Sequence, residues 1–353
     1  MWQQTKNPHP NPPPEYRERG EEPSASKYDV CRDILPLSAY LCDVTVAGKT
    51  SESLFLADAP GSVREGMAPA ADVQAAEAFT RRLTHGHYEN FSVVSLFVPR
   101  PLRQDFCNIY AFCRIADDAA DEAASAEHAV RLLDQLKRET RACFAGEGSS
   151  AVFMALAGTI ARHELPIEPF LDLIDAFEQD QRVTRYDTFE QLLDYCRRSA
   201  DPVGRLVLYL CGYRDAERQR LSDQTCSALQ LTNFWQDVRR DKLDRDRIYL
   251  PRESMEEFSV TEEQIKEGRC DDHYRALIRH LVDRTAEMFG AGDKLPATLS
   301  ARYRRQISLF SRGGRAILAA IRLQDYDTLT QRPSLTRWHK TRLGLGLILG
   351  GAA

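Results

Sequence analysis

Two acidic clusters dominate the chemistry this sequence could perform: Asp117-Asp118-Ala119-Ala120-Asp121, and far downstream Asp237-Val238-Arg239-Arg240-Asp241. Both lie in segments with helical periodicity, and on a helix residues four apart share a face. Asp117 and Asp121 therefore project together, as do Asp237 and Asp241. Two such faces turned toward each other across a cavity would form a cage of carboxylate oxygens. Such a cage suits hard Mg²⁺ ions that bridge a diphosphate.

The neighbours on each face strengthen this reading. At a helical step of about 100° per residue, Tyr110, Arg114, Asp117 and Asp121 fall within an arc of roughly 60°, and Gln230, Asn233, Asp237 and Asp241 within roughly 80°. Solvent exposure is the ordinary explanation of an acidic helix face. Here, however, Phe106, Ile109, Phe112 and Ile115 flank one cluster, and Leu229, Leu231, Phe234 and Trp235 flank the other. Helices this apolar are expected to be buried, and buried carboxylates need cations. Arg114 alone cannot neutralise four of them.

Other carboxylate chemistries fail on spacing. The run from Asp237 to Asp246 has neither the central glycine nor the terminal glutamate of an EF-hand loop. Glycoside hydrolysis uses one carboxyl pair. The eight histidines form no HExxH arrangement, and the nine cysteines form no CxxC pair, a pattern of reduced thiols that suits a cytoplasmic setting. A net charge of −5 with interspersed signs leaves no footprint for nucleic acid.

The elements that must position these residues read as helices. Their expected spans are 72–84, 99–122, 126–145, 150–164, 166–181, 187–212, 215–241, 271–290 and 299–324, with no convincing strands, so the fold class is all-α. Pro99 and Pro101 open the helix that carries the first cluster. Residues 1–70 are rich in proline and charge and read as a disordered or weakly ordered extension, with the catalytic domain over 71–340. Met67 is a candidate translation start, and a role for the extension as a tethering arm is the rival reading. The tail 341–353, with Leu343-Gly344-Leu345-Gly346-Leu347-Ile348-Leu349, is too short to span a membrane and suits at most a peripheral contact.

At this level of detail the chain resembles the squalene and phytoene synthases. The resemblance rests on Tyr110-Ala111-Phe112-Cys113-Arg114-Ile115-Ala116-Asp117-Asp118-Ala119-Ala120-Asp121, Asn233-Phe234-Trp235-Gln236-Asp237-Val238-Arg239-Arg240-Asp241 and Arg247-Ile248-Tyr249-Leu250-Pro251. His87-Tyr88-Glu89-Asn90-Phe91 and Tyr195-Cys196-Arg197-Arg198-Ser199-Ala200-Asp201-Pro202-Val203-Gly204 extend it. The wording is most similar to the bacterial hydroxysqualene synthases of hopanoid pathways, a group also called squalene synthases.

The resemblance implies the isoprenoid synthase fold, helices around a central cavity, and a prenyl diphosphate substrate. It implies Mg²⁺, or Mn²⁺, held by Asp117, Asp121, Asn233, Asp237 and Asp241. It places Arg114 and Tyr195 with those aspartates in the catalytic set, and His87, Phe91, Tyr110, Gln230 and Arg247 against substrate. NADPH is not indicated, because no nicotinamide fingerprint is present. Two departures stand out: Gln236 replaces an arginine common in relatives, and Asp246 replaces a glycine. The neutral Gln236 suggests a substrate with one diphosphate group.

The expected reaction is ionisation of presqualene diphosphate and capture of the cation by water to give hydroxysqualene. The alternative within the class is condensation of two farnesyl diphosphates. The alternative outside it is a non-catalytic assembly factor, which would be expected to have lost the acidic pairs. Neighbouring squalene-pathway enzymes are the expected partners.

Overall fold

A computed structural model of the chain describes residues 56, 58–86 and 98–335. Fourteen α-helices account for most of them. In order they are α1 (Gly61–Met67), α2 (Val73–Gly86), α3 (Arg103–Asp121), α4 (Ala126–Phe144), α5 (Ala151–His163), α6 (Glu168–Gln179) and α7 (Phe189–Ser199). There follow α8 (Asp201–Leu210), α9 (Ala216–Arg245), α10 (Arg252–Glu257), α11 (Glu262–Glu267), α12 (Asp272–Gly292), α13 (Leu295–Thr298) and α14 (Ala301–Leu323). Among the described residues there is no strand, only the isolated bridges Pro69–Ser150 and Arg185–Ile248. No helix among them is long and apolar enough to cross a membrane. The tail 341–353 lies outside the described residues.

Two apolar clusters organise the helices. Phe112 and Ile115 of α3 pack with Leu132 and Leu136 of α4, Phe153 of α5 and Phe170 of α6. Phe112 stands edge-on to Phe153 and Phe170, with centroids 6.1 and 5.0 Å away. The second cluster joins Leu231, Phe234 and Trp235 of α9 to Leu277 and Leu281 of α12 and Ile317 and Ile321 of α14. The first acidic motif thus belongs to one cluster and the second to the other. Their helices meet where Arg245, the last residue of α9, pairs with Asp121, the last residue of α3.

Helix α9 is enclosed on every side through its middle, where Thr225 to Val238 are buried without a break. Its polar residues Gln230, Asn233, Gln236 and Asp237 are therefore inside the molecule. The helix ends at Asp246, which adopts left-handed backbone angles, φ 50° and ψ 34°. That conformation favours glycine, and aspartate tolerates it when its side chain finds local partners. Here Arg185 and Lys242 hold the Asp246 carboxylate at 3.0 and 2.5 Å.

Two sequence expectations change. The helix expected over 187–212 is broken at Ala200 into α7 and α8, because Pro202 lacks an amide hydrogen and its ring clashes with the preceding turn. The weakly ordered extension does not reach residue 70. Val63 of α1 is 1 % exposed and Met67 is buried with it against Phe79 and Ile115. A Cβ on Gly66 would lie 2.1 Å from Ile115 Cδ1, so any larger residue would have to displace the buried Ile115 side chain. Short length and Gly61, Gly66 and Pro60 hid this helix from a periodicity argument. Residues 1–55 and 57 lie outside the described residues.

A chain beginning at Met67 lacks Ser62 and Val63. Exposing the Val63 site costs about 2 kcal/mol, so the melting temperature should fall by ~5 °C. An unchanged melt by circular dichroism would show that α1 contributes nothing.

Candidate active site

Helix α3 brings Arg114, Asp117, Asp118 and Asp121 together at its buried C-terminal half. Asp117 is 2 % exposed, and neither of its carboxylate oxygens accepts a hydrogen bond. The nearest guanidinium nitrogen, Arg114 Nη1, is 4.0 Å away. Burial, and then the Asp121 charge, push the Asp117 carboxyl well above the usual range. Arg114 instead gives its closest contact to Asp118, which also accepts from Ser62 Oγ, and reaches Glu122 at 3.2 Å. Burial raises Asp118 to about 6 against the pull of Arg114. Burial likewise raises the half-buried Tyr110 phenol.

Three arginines from outside α3 enter the site. Arg245 pairs with Asp121, and Arg247 Nη1 lies 3.5 Å from the same carboxylate. Arg247 Nη2 donates to the Asp180 carbonyl at 3.1 Å, and its Nη1 lies 3.8 Å from Asp180 Oδ2. On α9, Asp237 is 5 % exposed and bound on both oxygens by Arg332, at 2.6 Å from Nε and 3.1 Å from Nη2. Gln236 donates to the Pro333 carbonyl in the same segment. A guanidinium therefore stands beside the position where the sequence carries the neutral Gln236.

Tyr195 of α7 donates its phenol to Asp180 Oδ2 at 2.7 Å. Its ring lies among Tyr186, Phe234 and Tyr249 at 5.6, 6.1 and 6.0 Å, and Phe234 and Tyr249 stack at 3.8 Å. Burial and the Asp180 charge hold the phenol proton on far above its usual range. Burial raises Asp180 to about 6, with Arg247 and Tyr195 opposing the rise.

Of the sequence candidates, Arg114, Asp117, Asp121, Tyr195 and Arg247 are connected in this way. Gln230 is buried with an Oε1 that accepts no hydrogen bond, Asn233 is buried, and Asp241 is half-buried near Tyr249. His87 and Phe91 lie outside the described residues. The carboxylates do not close into one cage: among the described residues no three His, Cys, Asp or Glu side chains stand together as a metal site. Guanidinium groups take up Asp121 and Asp237. The buried oxygens of Asp117, which accept no hydrogen bond, and the side-chain oxygen of Gln230 nonetheless have the hard-donor chemistry that suits Mg²⁺. Asp180, Arg245 and Arg332 were missed by sequence reasoning. Asp180 sits at the edge of an ordinary polar helix end, and Arg332 lies in a loop with no periodic signal.

A second buried acid, Asp201, begins α8 and accepts from Ser227 Oγ at 2.8 Å. Burial, and then the Asp223 charge, raise it to about 8. Between about pH 4, where an unfolded aspartate titrates, and pH 8, the folded chain holds a proton that the unfolded chain releases. Its contribution to stability is full below that window and lost as pH rises through it. Asp201→Asn should flatten the decline in melting temperature from pH 5 to 8; an equal slope in the variant would contradict the assignment.

Residues 84–339 match the family model described as squalene/phytoene synthase. The chain is 31% identical to a 15-cis-phytoene synthase of Synechococcus elongatus, over 74% of this chain and 88% of the relative. It is 29% identical to a hydroxysqualene synthase of Sinorhizobium fredii, over 75% and 89% of the two chains. The crystal structure of the squalene synthase HpnC from Alicyclobacillus acidocaldarius superposes with a TM-score of 0.69 at 48% identity, covering 77% of this chain and 98% of that one.

Proposed function

The chain belongs to the squalene/phytoene synthase family, which acts on prenyl diphosphates, and from that premise we propose that it ionises presqualene diphosphate and lets water capture the cation to give hydroxysqualene. The observation that carries the chemistry is Asp117, a buried carboxylate with no hydrogen-bond donor on either oxygen. A charge so placed is costly unless a cation joins it. The 48% identity to HpnC favours a squalene-type over a phytoene-type product, and the hydroxysqualene synthase relative favours the hydrated one.

In this reading Asp117 and Asp121 on α3, with Asn233, Asp237 and Asp241 on α9, would hold Mg²⁺ once Asp121 and Asp237 give up their guanidinium partners. When bound, Mg²⁺ supplies positive charge to the departing diphosphate. Arg245, Arg247 and Arg332 lie on the rim of the same carboxylates and can turn donors toward the leaving oxygens. Gln230 is a polar contact to substrate. The cation formed on loss of diphosphate faces the rings of Tyr195, Phe234 and Tyr249, which stabilise it through their π faces. Water then adds through its oxygen and gives up one proton.

Condensation of two farnesyl diphosphates is the second reading. Arg332 favours it, because it returns a guanidinium to the place beside Gln236. The two separate by substrate: with Mg²⁺, release of inorganic diphosphate should be much faster from presqualene diphosphate than from farnesyl diphosphate. Efficient consumption of farnesyl diphosphate by the pure protein would select the second reading.

A further inference from the structure

The aromatic wall and the arginine rim of the site are not independent. Asp180 sits between them, on the residue after α6, with its side chain buried. One carboxylate oxygen, Oδ2, accepts the Tyr195 phenol at 2.7 Å and faces Arg247 Nη1 at 3.8 Å. Its backbone carbonyl takes the other arm of the same guanidinium at 3.1 Å. Arg247 continues to Asp121 at 3.5 Å. A continuous chain of polar contacts thus runs Asp121, Arg247, Asp180, Tyr195.

We propose that Asp180 is a positioning residue that sets Tyr195 and Arg247 against each other, polarising the phenol toward the developing cation while restraining Arg247 from the diphosphate. The inference rests on the diphosphate reading above. Its physical basis is the sharing of one carboxylate by two functional groups of opposite need. A phenol that donates to an anion carries more electron density on its oxygen and ring, and this strengthens its attraction for a neighbouring cation. The same anion competes with substrate for the Arg247 charge, and Coulomb attraction at this separation is strong in a buried setting. Tyr195 is fixed as the donor, since burial and Asp180 hold its proton on. The Tyr186 phenol feels the Asp180 charge from a distance and accepts its hydrogen bond from Gln179 instead, at 3.3 Å.

The two roles predict opposite signs for one substitution. In Asp180→Asn the amide oxygen can still accept from Tyr195, but the charge is gone. Arg247 then loses one of its two carboxylates, so the affinity for inorganic diphosphate in Mg²⁺ should rise about fivefold. The single-turnover rate of presqualene diphosphate ionisation should fall about tenfold, the size of one weakened charge-assisted hydrogen bond. Tyr195→Phe removes the same bond from the other end, and should lower the rate by at least as much without raising diphosphate affinity.

Calorimetric titration of the full chain with inorganic diphosphate and Mg²⁺, paired with rapid-quench ionisation, reads both arms. A merely structural Asp180 would make the asparagine variant lose affinity and rate together. That result, or a variant indistinguishable from the parent in both measurements, overturns the proposal. If Asp180→Asn fails to fold, Tyr195→Phe still decides: an unchanged ionisation rate overturns it. If no prenyl diphosphate is turned over by the parent chain, the function proposed above fails, while the diphosphate titration still reports whether Asp180 restrains Arg247.

Discussion

Asp117→Asn should abolish turnover and at the same time make the protein more stable. The two effects have one cause. Asp117 is buried, accepts no hydrogen bond, and lies close enough to Asp121 for the two charges to repel. An amide of the same shape removes that repulsion and the cost of burying a carboxyl that accepts no hydrogen bond, so the metal-free chain should gain about 1–3 kcal/mol and melt several degrees higher. It also removes a hard anionic donor from the place where the diphosphate must be neutralised, and turnover should fall by at least about 10³-fold. Asp121→Asn should lose activity similarly but gain no stability, because Asp121 already has Arg245 and Arg247 as partners. Thermal melts beside a steady-state assay check both halves. Near-normal turnover in both variants would remove these residues from the mechanism.

Arg332→Gln should have the opposite effect on stability. It strips Asp237 of both hydrogen bonds while the carboxylate stays 5 % exposed on a helix buried through its middle. Breaking a buried pair from one side costs about 3–5 kcal/mol, and less here because a fifth of the arginine side chain is exposed. The melting temperature should drop by roughly 5–10 °C. Mg²⁺ should then restore more of the lost stability in the variant than it adds to the parent, because Asp237 is left without its guanidinium. Equal Mg²⁺ shifts in the two proteins would mean that Asp237 does not receive the metal.

Periodicity made the scaffold of this site legible. The spans expected for the helices of Asp117 and Asp237 match α3 and α9 closely, because both carry long runs of apolar residues at helical spacing and clear end signals. The faces carrying Tyr110, Arg114, Asp117 and Asp121, and Gln230, Asn233, Asp237 and Asp241, followed from the same geometry, although Asp241 is only half-buried. Contacts between distant segments could not be read this way. Arg332 reaches Asp237 from a loop after α14, and Asp180 reaches Tyr195 and Arg247 from the end of α6. Arg114, placed in the catalytic set, has its closest contact four residues on, at Asp118, which the pairing of Asp117 with Asp121 had passed over. Helix α1 escaped notice because seven residues with two glycines give no periodic signal, although Val63 is only 1 % exposed.

The central claim is that this chain ionises presqualene diphosphate and captures the cation with water. It is tested most directly by incubating the pure protein with Mg²⁺ and presqualene diphosphate in ¹⁸O-enriched water, followed by mass spectrometry of the apolar product. The account predicts a C₃₀ alcohol carrying one heavy oxygen from solvent, formed without added NADPH. An unlabelled hydrocarbon, or recovery of intact presqualene diphosphate from active, folded protein, would contradict it.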